Sequence, residues 1–215
     1  MITRRTLLAG LAGAPLAACT TVRAPDPAGG LDDLSGWYIG YADDQPHPIP
    51  LVDRGRIAPE FNRQVVSYTG DQAPGTVIVD IDQRMLYLVH EGGRATRYGV
   101  GVGRQGFSWR GVAHVGRKAR WPDWSPTPTM VRLDPKLPRY MKGGIGNPLG
   151  ARSLYLYQGN RDILFRIHGT NEPWSIGKQV SSGCIRLLNE DIVDLYNRVP
   201  VGARVMVRRN GTWRV

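Results

Sequence analysis

The chain has little cysteine, with only two residues among 215, and this excludes a fold held together by a disulfide framework. Cys19 follows an apolar N-terminal stretch and Cys184 lies near the C-terminus, so we expect no disulfide between them. A cysteine outside such a framework is a candidate nucleophile, because thiol chemistry gives it a use other than cross-linking. Cys184 is therefore the first residue to consider for function.

Histidine is also scarce, and its distribution argues against a metal site. His47, His90 and His114 are isolated, and none of them forms a pair with the spacing of zinc ligands. Residues 101–106 match the spacing of a nucleotide-binding glycine loop, but loop and strand patterns follow them where that motif needs a helix. We therefore expect neither a metal nor a cofactor.

The formal net charge is +10, and no run of five or six basic residues occurs. Net charge alone leaves nucleic acid, anionic lipid and an acidic polymer open as partners. The basic residues are dispersed, and the N-terminal export signal makes nucleic acid a poor partner. These observations favour an acidic cell-wall polymer without identifying it.

No apolar run is long enough for a permanent membrane span, which needs about 20 residues. Residues 1–18 instead have the form of a signal peptide, with Arg4 and Arg5 ahead of a short apolar run. The adjacent arginines fit a twin-arginine signal or an ordinary basic region. Leu-Ala-Ala before Cys19 resembles a lipobox, so we expect a lipid on Cys19; an ordinary signal peptide is the alternative. The chain is then periplasmic, and Thr20 favours the outer membrane because the aspartate of inner-membrane retention is missing.

The pattern along the chain predicts one main domain with flanking segments. A short helix is also predicted near residues 59–68, ahead of the main domain. The predicted divisions are signal peptide 1–18, linker 19–36, N-terminal arm packed on the domain 37–73, main domain 74–208 and tail 209–215.

The main domain is predicted to be mostly β with one main helix. Residues 76–81 and 85–89 are rich in β-forming side chains on either side of a turn, so we expect a hairpin. Similar patterns predict the remaining strands. Asn189 is expected to cap the helix, which ends before Pro200. A long irregular loop over 117–149 either borders a substrate groove or packs as a compact excursion. The other predicted strands are 94–102, 111–115, 153–157, 163–168 and 203–207.

The chemistry is concentrated in residues 168–186, where His168 precedes Cys184 by 16 positions. A thiol has an ordinary pKa of roughly 8.5 and needs a base or a nearby cation to become a nucleophile at neutral pH. Imidazole can supply either. Spacing alone also fits a buried cysteine and a satisfied core histidine, so the flanking residues decide.

Those flanking residues resemble the L,D-transpeptidase catalytic domain (YkuD type). The motif runs His-Gly-Thr-Asn-x-Pro-x-Ser-Ile-Gly from His168, then Ser-x-Gly-Cys-Ile-Arg from Ser181, with Asn189 and Asp191 following. Residues 74–80, 98–104 and 143–152 also match strands and turns of that domain. The resemblance spans about residues 74–208 and implies a β-sandwich-like catalytic domain.

The resemblance implies a peptidoglycan substrate and assigns roles by position. Cys184 attacks the amide between a diamino acid and D-Ala of a stem tetrapeptide, and His168 is its base. Ser181 orients His168, and the N–H groups of Gly183 and Cys184 form the oxyanion hole. Carbapenem-type inhibitors are expected to acylate Cys184.

Substrate contacts are implied for Gly169, Thr170, Trp174 and Arg186. Arg186 either binds a substrate carboxylate or forms a structural salt bridge. Trp174 is either a groove wall or a packed core residue.

One departure stands out, because many members of the family have histidine where this chain has Ser182.

The resemblance leaves two catalytic functions open. One is transfer to an amine (a stem peptide, a protein lysine or a D-amino acid), and the other is hydrolysis by an L,D-carboxypeptidase or amidase. A wall-binding lipoprotein without catalysis is the alternative from another class.

Overall fold

In a computed structural model of the chain, the described residues are 36–103, 109–181 and 183–209. None of the helices in these ranges has the length and apolar character needed to cross a bilayer. The strands are β1 (Tyr38–Ala42), β2 (Ile49–Val52), β3 (Gln64–Ser67), β4 (Val77–Asp80), β5 (Met85–His90), β6 (Arg94–Gly99), β7 (Val102–Gly103), β8 (Gly111–Arg120), β9 (Arg152–Gln158), β10 (Arg161–His168), β11 (Gln179–Ser181), β12 (Ile185–Arg186) and β13 (Arg204–Arg208). The α-helices are α1 (Pro128–Leu133) and α2 (Asn189–Arg198), and short 3₁₀ helices are Arg54–Arg56, Pro59–Phe61 and Pro173–Ser175.

The predicted mostly β domain with one main helix is confirmed. Nine strands form one sheet in the order β12-β10-β9-β8-β13-β4-β5-β6-β3. The hairpin predicted around residues 82–84 is the antiparallel pair β4–β5. The predicted strand at 94–102 is interrupted: β6 ends at Gly99, and β7 pairs in parallel with β11 in a separate sheet.

The main sheet folds over on itself, which gives the sandwich-like form. Gly101 follows the β6 end of the sheet, and its backbone exchanges two hydrogen bonds, 2.8 and 2.9 Å long, with Arg186 on the opposite edge strand β12. A Cβ at position 101 would lie 2.7 Å from the carbonyl oxygen of Ser175, so this close approach requires glycine. The two ends of the sheet therefore meet beside the motif residues.

The core lies between the folded halves of the sheet and α2. Alternate residues of the strands point inward, as Phe165 and Ile167 do on β10. The inward face of α2 adds Ile192 and Leu195, both fully buried. Because Ile167 and Ile185 face this core, their neighbours His168 and Arg186 face the other side of the sheet.

Three local predictions are wrong in detail. Residues 59–68 do not form an α-helix: a 3₁₀ helix at Pro59–Phe61 leads into edge strand β3. Leu188, and not Asn189, occupies the cap position of α2, because the Asn189 side chain is used in contacts outside the helix. The segment 117–149 is only partly irregular, since β8 continues to Arg120 and α1 lies within it.

The N-terminal segment joins the domain through ion pairs in which only the carboxylate is fully buried. Arg54 donates to both carboxylate oxygens of Asp191, at 2.7 and 3.0 Å, and Asp191 is fully buried at the start of α2. A negative charge in the first turn is favourable for the helix, and Arg54 neutralises it where water cannot. The segment thereby stabilises the helix that follows the catalytic motif.

A second junction is centred on Asp44, in the turn between β1 and β2. Asp44 accepts hydrogen bonds from Arg152 at 2.7 and 2.8 Å, from Arg120 at 2.7 Å and from the Trp121 indole at 2.8 Å. Burial would raise the pKa of Asp44, but the hydrogen bonds from Arg152 and Trp121 outweigh it and lower the pKa from 3.8 to about 2. Arg152 is itself only 4% exposed, so it depends on this carboxylate.

We predict that Asp44→Asn lowers the free energy of unfolding by about 3 kcal/mol at pH 7, because it leaves the Arg152 charge buried and uncompensated. Since the pKa is lowered on folding, the contribution is complete above pH 3.8 and is lost as the pH falls towards 2. Urea denaturation across this range measures both effects.

The matched control is Asp43→Asn, which removes the same charge from an exposed neighbour. An Asp44 variant no less stable than the Asp43 variant would contradict the structural role of this junction.

Candidate active site

His168 and Cys184 are placed by two adjacent parallel strands. His168 ends β10, and Cys184 immediately precedes β12, with Ile167 opposite Ile185 and His168 opposite Arg186. One step earlier in this register, Arg166 lies beside Cys184. Because Ile167 and Ile185 face the core, the side chains of Arg166, His168 and Cys184 lie on the opposite face of the sheet.

This register brings the histidine and cysteine into the same site. One strand spacing of about 4.8 Å and two residues of about 3.3 Å each give a Cα separation of roughly 8 Å. Imidazole and thiol side chains on one face can approach each other across that separation. The structure thus brings together two residues that lie 16 positions apart in the sequence.

The ring orientation of His168 is fixed by its own loop. Nδ1 lies 2.5 Å from the carbonyl oxygen of Gly169. A carbonyl only accepts, so Nδ1 donates, and the lone pair of the neutral ring is on Nε2. Burial, with the positive charge of Arg186 next, lowers the pKa of His168 from 6.5 to about 3. The ring is therefore a neutral base at physiological pH.

Cys184 has a protonated resting state for a similar reason. The residue is only half-buried by surface area, yet the protein atoms around it raise its pKa by desolvation. A backbone hydrogen bond from Arg166 and the charges of Arg166 and Arg186 lower the pKa, while Asp162 raises it. Burial exceeds these effects, so the thiol keeps its proton at rest.

Of the two roles that imidazole can have beside a thiol, the pair therefore fits the neutral base and not the cation that stabilises a preformed thiolate. Both groups are neutral at rest, because desolvation disfavours the charged form of each. His168 can accept the thiol proton at Nε2 when Sγ attacks an electrophile. This is general-base activation of a nucleophile, and it needs no prior ion pair.

The turn before Cys184 requires glycine. Gly183 has φ +133°, a conformation that residues with a side chain rarely adopt, and it is buried. Ser181 ends β11, but its side chain and the whole of Ser182 are outside the described residues. So is the predicted lipidation site, Cys19.

Asn189 anchors the loop after His168 through hydrogen bonds of its side chain. Its side-chain amide donates to the Thr170 carbonyl at 2.9 Å and accepts from the Ala151 N–H at 2.9 Å. A Cβ on Gly169 would lie 2.3 Å from this amide oxygen, so glycine lets the two segments meet. Gly169 and Thr170, both predicted to contact substrate, thus also shape the loop: the first provides the carbonyl for His168, and the Thr170 hydroxyl accepts from the Glu172 N–H at 3.0 Å.

The other two predicted substrate contacts have protein partners. Arg186 forms an ion pair with Glu172, which corresponds to the salt-bridge alternative for this residue. Trp174 is half-buried and packs on Trp37 of the N-terminal segment, with ring centroids 6.0 Å apart. Across the described ranges, no group of three His, Cys, Asp or Glu side chains is placed to bind a metal ion.

Comparison with known proteins identifies the domain that contains this site. A family model of the L,D-transpeptidase catalytic domain (YkuD) matches residues 74–207, which is more than half of the chain. The chain belongs to the L,D-transpeptidase family. The probable L,D-transpeptidase ErfK/SrfK of Escherichia coli is 36% identical over 141 residues, and the match covers 62% of this chain and 43% of that protein. YbiS, a probable L,D-transpeptidase of the same species, is 36% identical over 139 residues, covering 61% and 43%.

The chain thus spans less than half the length of these curated relatives. Among solved structures, a Brucella melitensis protein described as a probable carnitine operon oxidoreductase is 44% identical with a TM-score of 0.48, covering 76% of this chain and 98% of that one. L,D-transpeptidase 3 from Mycobacterium tuberculosis is 19% identical with a TM-score of 0.47, covering 62% and 60%. The family assignment rests on the sequence match.

Two residues of this L,D-transpeptidase domain were missed by the sequence analysis. Arg166 precedes His168 by two positions on one strand, so strand parity could have placed both on one face. Ser153 needs the sheet register: it is opposite His168, fully buried, and its hydroxyl has no hydrogen-bond partner among the described residues. Burying a hydroxyl without a hydrogen bond costs about 1–3 kcal/mol of folding free energy. Ser153 bears this cost beside the imidazole, which makes it a candidate functional residue.

We predict that Arg166→Met and Asp162→Asn shift the pKa of Cys184 in opposite directions. Arg166 donates to both carboxylate oxygens of Asp162, at 2.8 and 3.1 Å. The positive and the negative charge therefore act on Cys184 from nearly the same position. Removing the guanidinium raises the thiol pKa, and removing the carboxylate charge lowers it. The pH dependence of iodoacetamide alkylation, read by mass spectrometry on the peptide containing Cys184, measures each shift.

Arg161→Met is the control, because it removes an exposed positive charge from the same strand. Shifts of the same sign in the Arg166 and Asp162 variants would show that the pair does not act on Cys184 electrostatically.

Proposed function

We propose that the chain is a peptidoglycan L,D-transpeptidase that uses Cys184 as nucleophile and His168 as base. The observation that carries this proposal is the arrangement of the two residues on one sheet face, with Nδ1 of His168 held by the Gly169 carbonyl. Family membership supplies the reaction class. The substrate is a stem tetrapeptide, cleaved between the diamino acid and the terminal D-Ala.

Acylation begins with transfer of the Cys184 proton to Nε2 of His168. Sγ attacks the diamino acid carbonyl, and the developing oxyanion is stabilised by the N–H groups of Gly183 and Cys184. The intermediate collapses as imidazolium returns the proton to the departing D-Ala amine. A thioester on Cys184 and D-Ala with a neutral amine group are the products of this half-reaction.

Deacylation uses the same groups in reverse. His168 accepts a proton from the attacking amine, the thioester carbonyl is transferred to that amine, and Sγ recovers the proton. The acceptor amine belongs to a second stem, a protein lysine or a D-amino acid. Water in the same position gives L,D-carboxypeptidase activity, so the acceptor alone decides between transfer and hydrolysis.

The low basicity of His168 suits this cycle. An imidazolium with a pKa near 3 gives up its proton readily, which favours protonation of the departing amine. The Gly169 carbonyl supports the transient positive charge without a carboxylate in that position. Such a base is weak at rest, and catalysis then depends on holding Sγ and Nε2 close together.

The purified chain is expected to convert stem tetrapeptide into D-Ala and either a cross-linked dimer or a tripeptide, with dimer as the main product. Mass spectrometry of the products distinguishes transfer from hydrolysis. Cys184→Ala lowers turnover by roughly 10⁴-fold or more, because the covalent route is removed. His168→Gln lowers it by roughly 10²–10⁴-fold, because Nε2 is no longer a base.

Acylation by a carbapenem separates the first half-reaction from the second. Wild type is expected to gain the mass of one inhibitor on Cys184, whereas Cys184→Ala gains none. An unmodified wild-type protein, or an equal adduct on the variant, would refute the proposed nucleophile and favour a wall-binding lipoprotein.

The proposal includes a periplasmic location with a lipid on Cys19. The Leu-Ala-Ala-Cys sequence at the end of the signal peptide supports it. Cys19→Ser is expected to move the mature chain from the membrane fraction to the soluble periplasmic fraction without changing turnover of stem peptide. Unchanged membrane association of the Cys19→Ser variant would count against the anchor.

A further inference from the structure

A row of side chains crosses the sheet next to the catalytic cysteine. Arg117 on β8 is opposite Tyr155 on β9, and Tyr155 is opposite Arg166 on β10. Arg166 is beside Cys184, as the parallel register of β10 and β12 requires. All four side chains therefore lie on the face of the sheet that carries His168.

The Tyr155 ring contacts both guanidinium groups. The central carbon of Arg117 lies 3.5 Å from the ring centroid, and that of Arg166 lies 4.4 Å from it. A guanidinium stacked on a ring keeps its N–H donors in its own plane, where they can meet a carboxylate. The ring is 6% exposed and belongs to a central strand, so its position is fixed and it can orient the guanidinium groups that stack on it.

The two arginines differ in how their charges are compensated. Arg166 is bound by Asp162 through two hydrogen bonds of 2.8 and 3.1 Å. Arg117 is exposed, and no carboxylate of the described residues forms an ion pair with it. On the other side of the site, Arg186 is already paired with Glu172. Arg117 is thus the guanidinium of this face with donors available to a ligand.

The position of Arg117 fits a group near the scissile bond but not at it. Tyr155 is two strand spacings of about 4.8 Å from Cys184 and Arg117 is three, so the guanidinium stacked on the Tyr155 ring lies roughly 10–14 Å from the nucleophile. A carboxylate two residues' length from the scissile carbonyl is roughly 7 Å away in an extended peptide, and a hydrogen bond of about 3 Å to the guanidinium brings the span to about 10 Å. The terminal carboxylate of the leaving D-Ala is too close to match.

We propose that Arg117, supported by Tyr155, is a subsite for a carboxylate of the donor stem peptide upstream of the scissile bond. The group is either a free carboxylate of the second residue or a side-chain carboxylate of the diamino acid at the third. Binding through two parallel N–H donors orients the donor across the sheet face, with its carbonyl at Cys184. This inference rests on the proposed function, since it describes the donor of that reaction.

The test combines two enzyme forms with three donors. Wild type and Arg117→Met are each assayed with a tetrapeptide that carries both carboxylates, with the peptide amidated at the second residue and with the peptide amidated on the side chain of the diamino acid. With the acidic donor, Arg117→Met is expected to lower kcat/KM about tenfold, mainly through KM, as loss of one charged hydrogen bond would. Amidation of the bound carboxylate alone should lower wild type equally and leave the variant unchanged, which identifies the group.

Two controls keep the outcomes separate. Arg94→Met removes an exposed arginine from β6, outside this row, and should match wild type with all donors. The rate of Cys184 alkylation by iodoacetamide should be equal in wild type and Arg117→Met if the variant folds normally.

Equal losses in Arg117→Met with all three donors would overturn the subsite, because the loss would then not depend on a carboxylate. Equal turnover by wild type and Arg117→Met would overturn it too. No turnover of any donor by wild type would instead contradict the proposed function itself.

Discussion

The hydrogen bond from Nδ1 of His168 to the Gly169 carbonyl fixes both the tautomer and the orientation of the proposed base. It leaves the lone pair of the ring on Nε2, on the sheet face shared with Cys184. The acceptor is a backbone carbonyl and not a carboxylate, so no negative charge raises the basicity of the ring. Burial then keeps the imidazole neutral, and the proposed mechanism depends on placing two neutral groups together.

The surrounding structure maintains that hydrogen bond. Gly169 can present its carbonyl because Asn189 holds the adjacent Thr170 carbonyl and the Ala151 N–H. Asn189 begins α2, whose buried Asp191 is bound by Arg54 from the N-terminal segment. The geometry of the base thus depends on a chain of contacts that extends to residues outside the family match at 74–207.

Sequence alone predicted the parts of this account that follow from local pattern. The β4–β5 hairpin, the strand ending on His168 and the helix after Cys184 are all visible in residue periodicity. Asn189 was misassigned because a residue that suits a helix cap also suits a bridge between loops, and only tertiary contacts separate the two. Arg117 was assigned to a loop because the sequence did not show that β8 continues past residue 115. The alignment of Arg117, Tyr155 and Arg166 depends on pairing between strands that are distant in the sequence. The neutral state of His168 depends on burial, which the motif does not encode.

The protonation state of His168 tests this account most directly. Long-range ¹H–¹⁵N NMR of the imidazole, recorded from pH 8 to pH 4 on the intact resting protein, distinguishes the tautomers and the charged form. The account predicts a ring protonated at Nδ1 only, neutral throughout this range because its pKa is about 3. An imidazolium at pH 7, or a neutral ring protonated at Nε2, would contradict it.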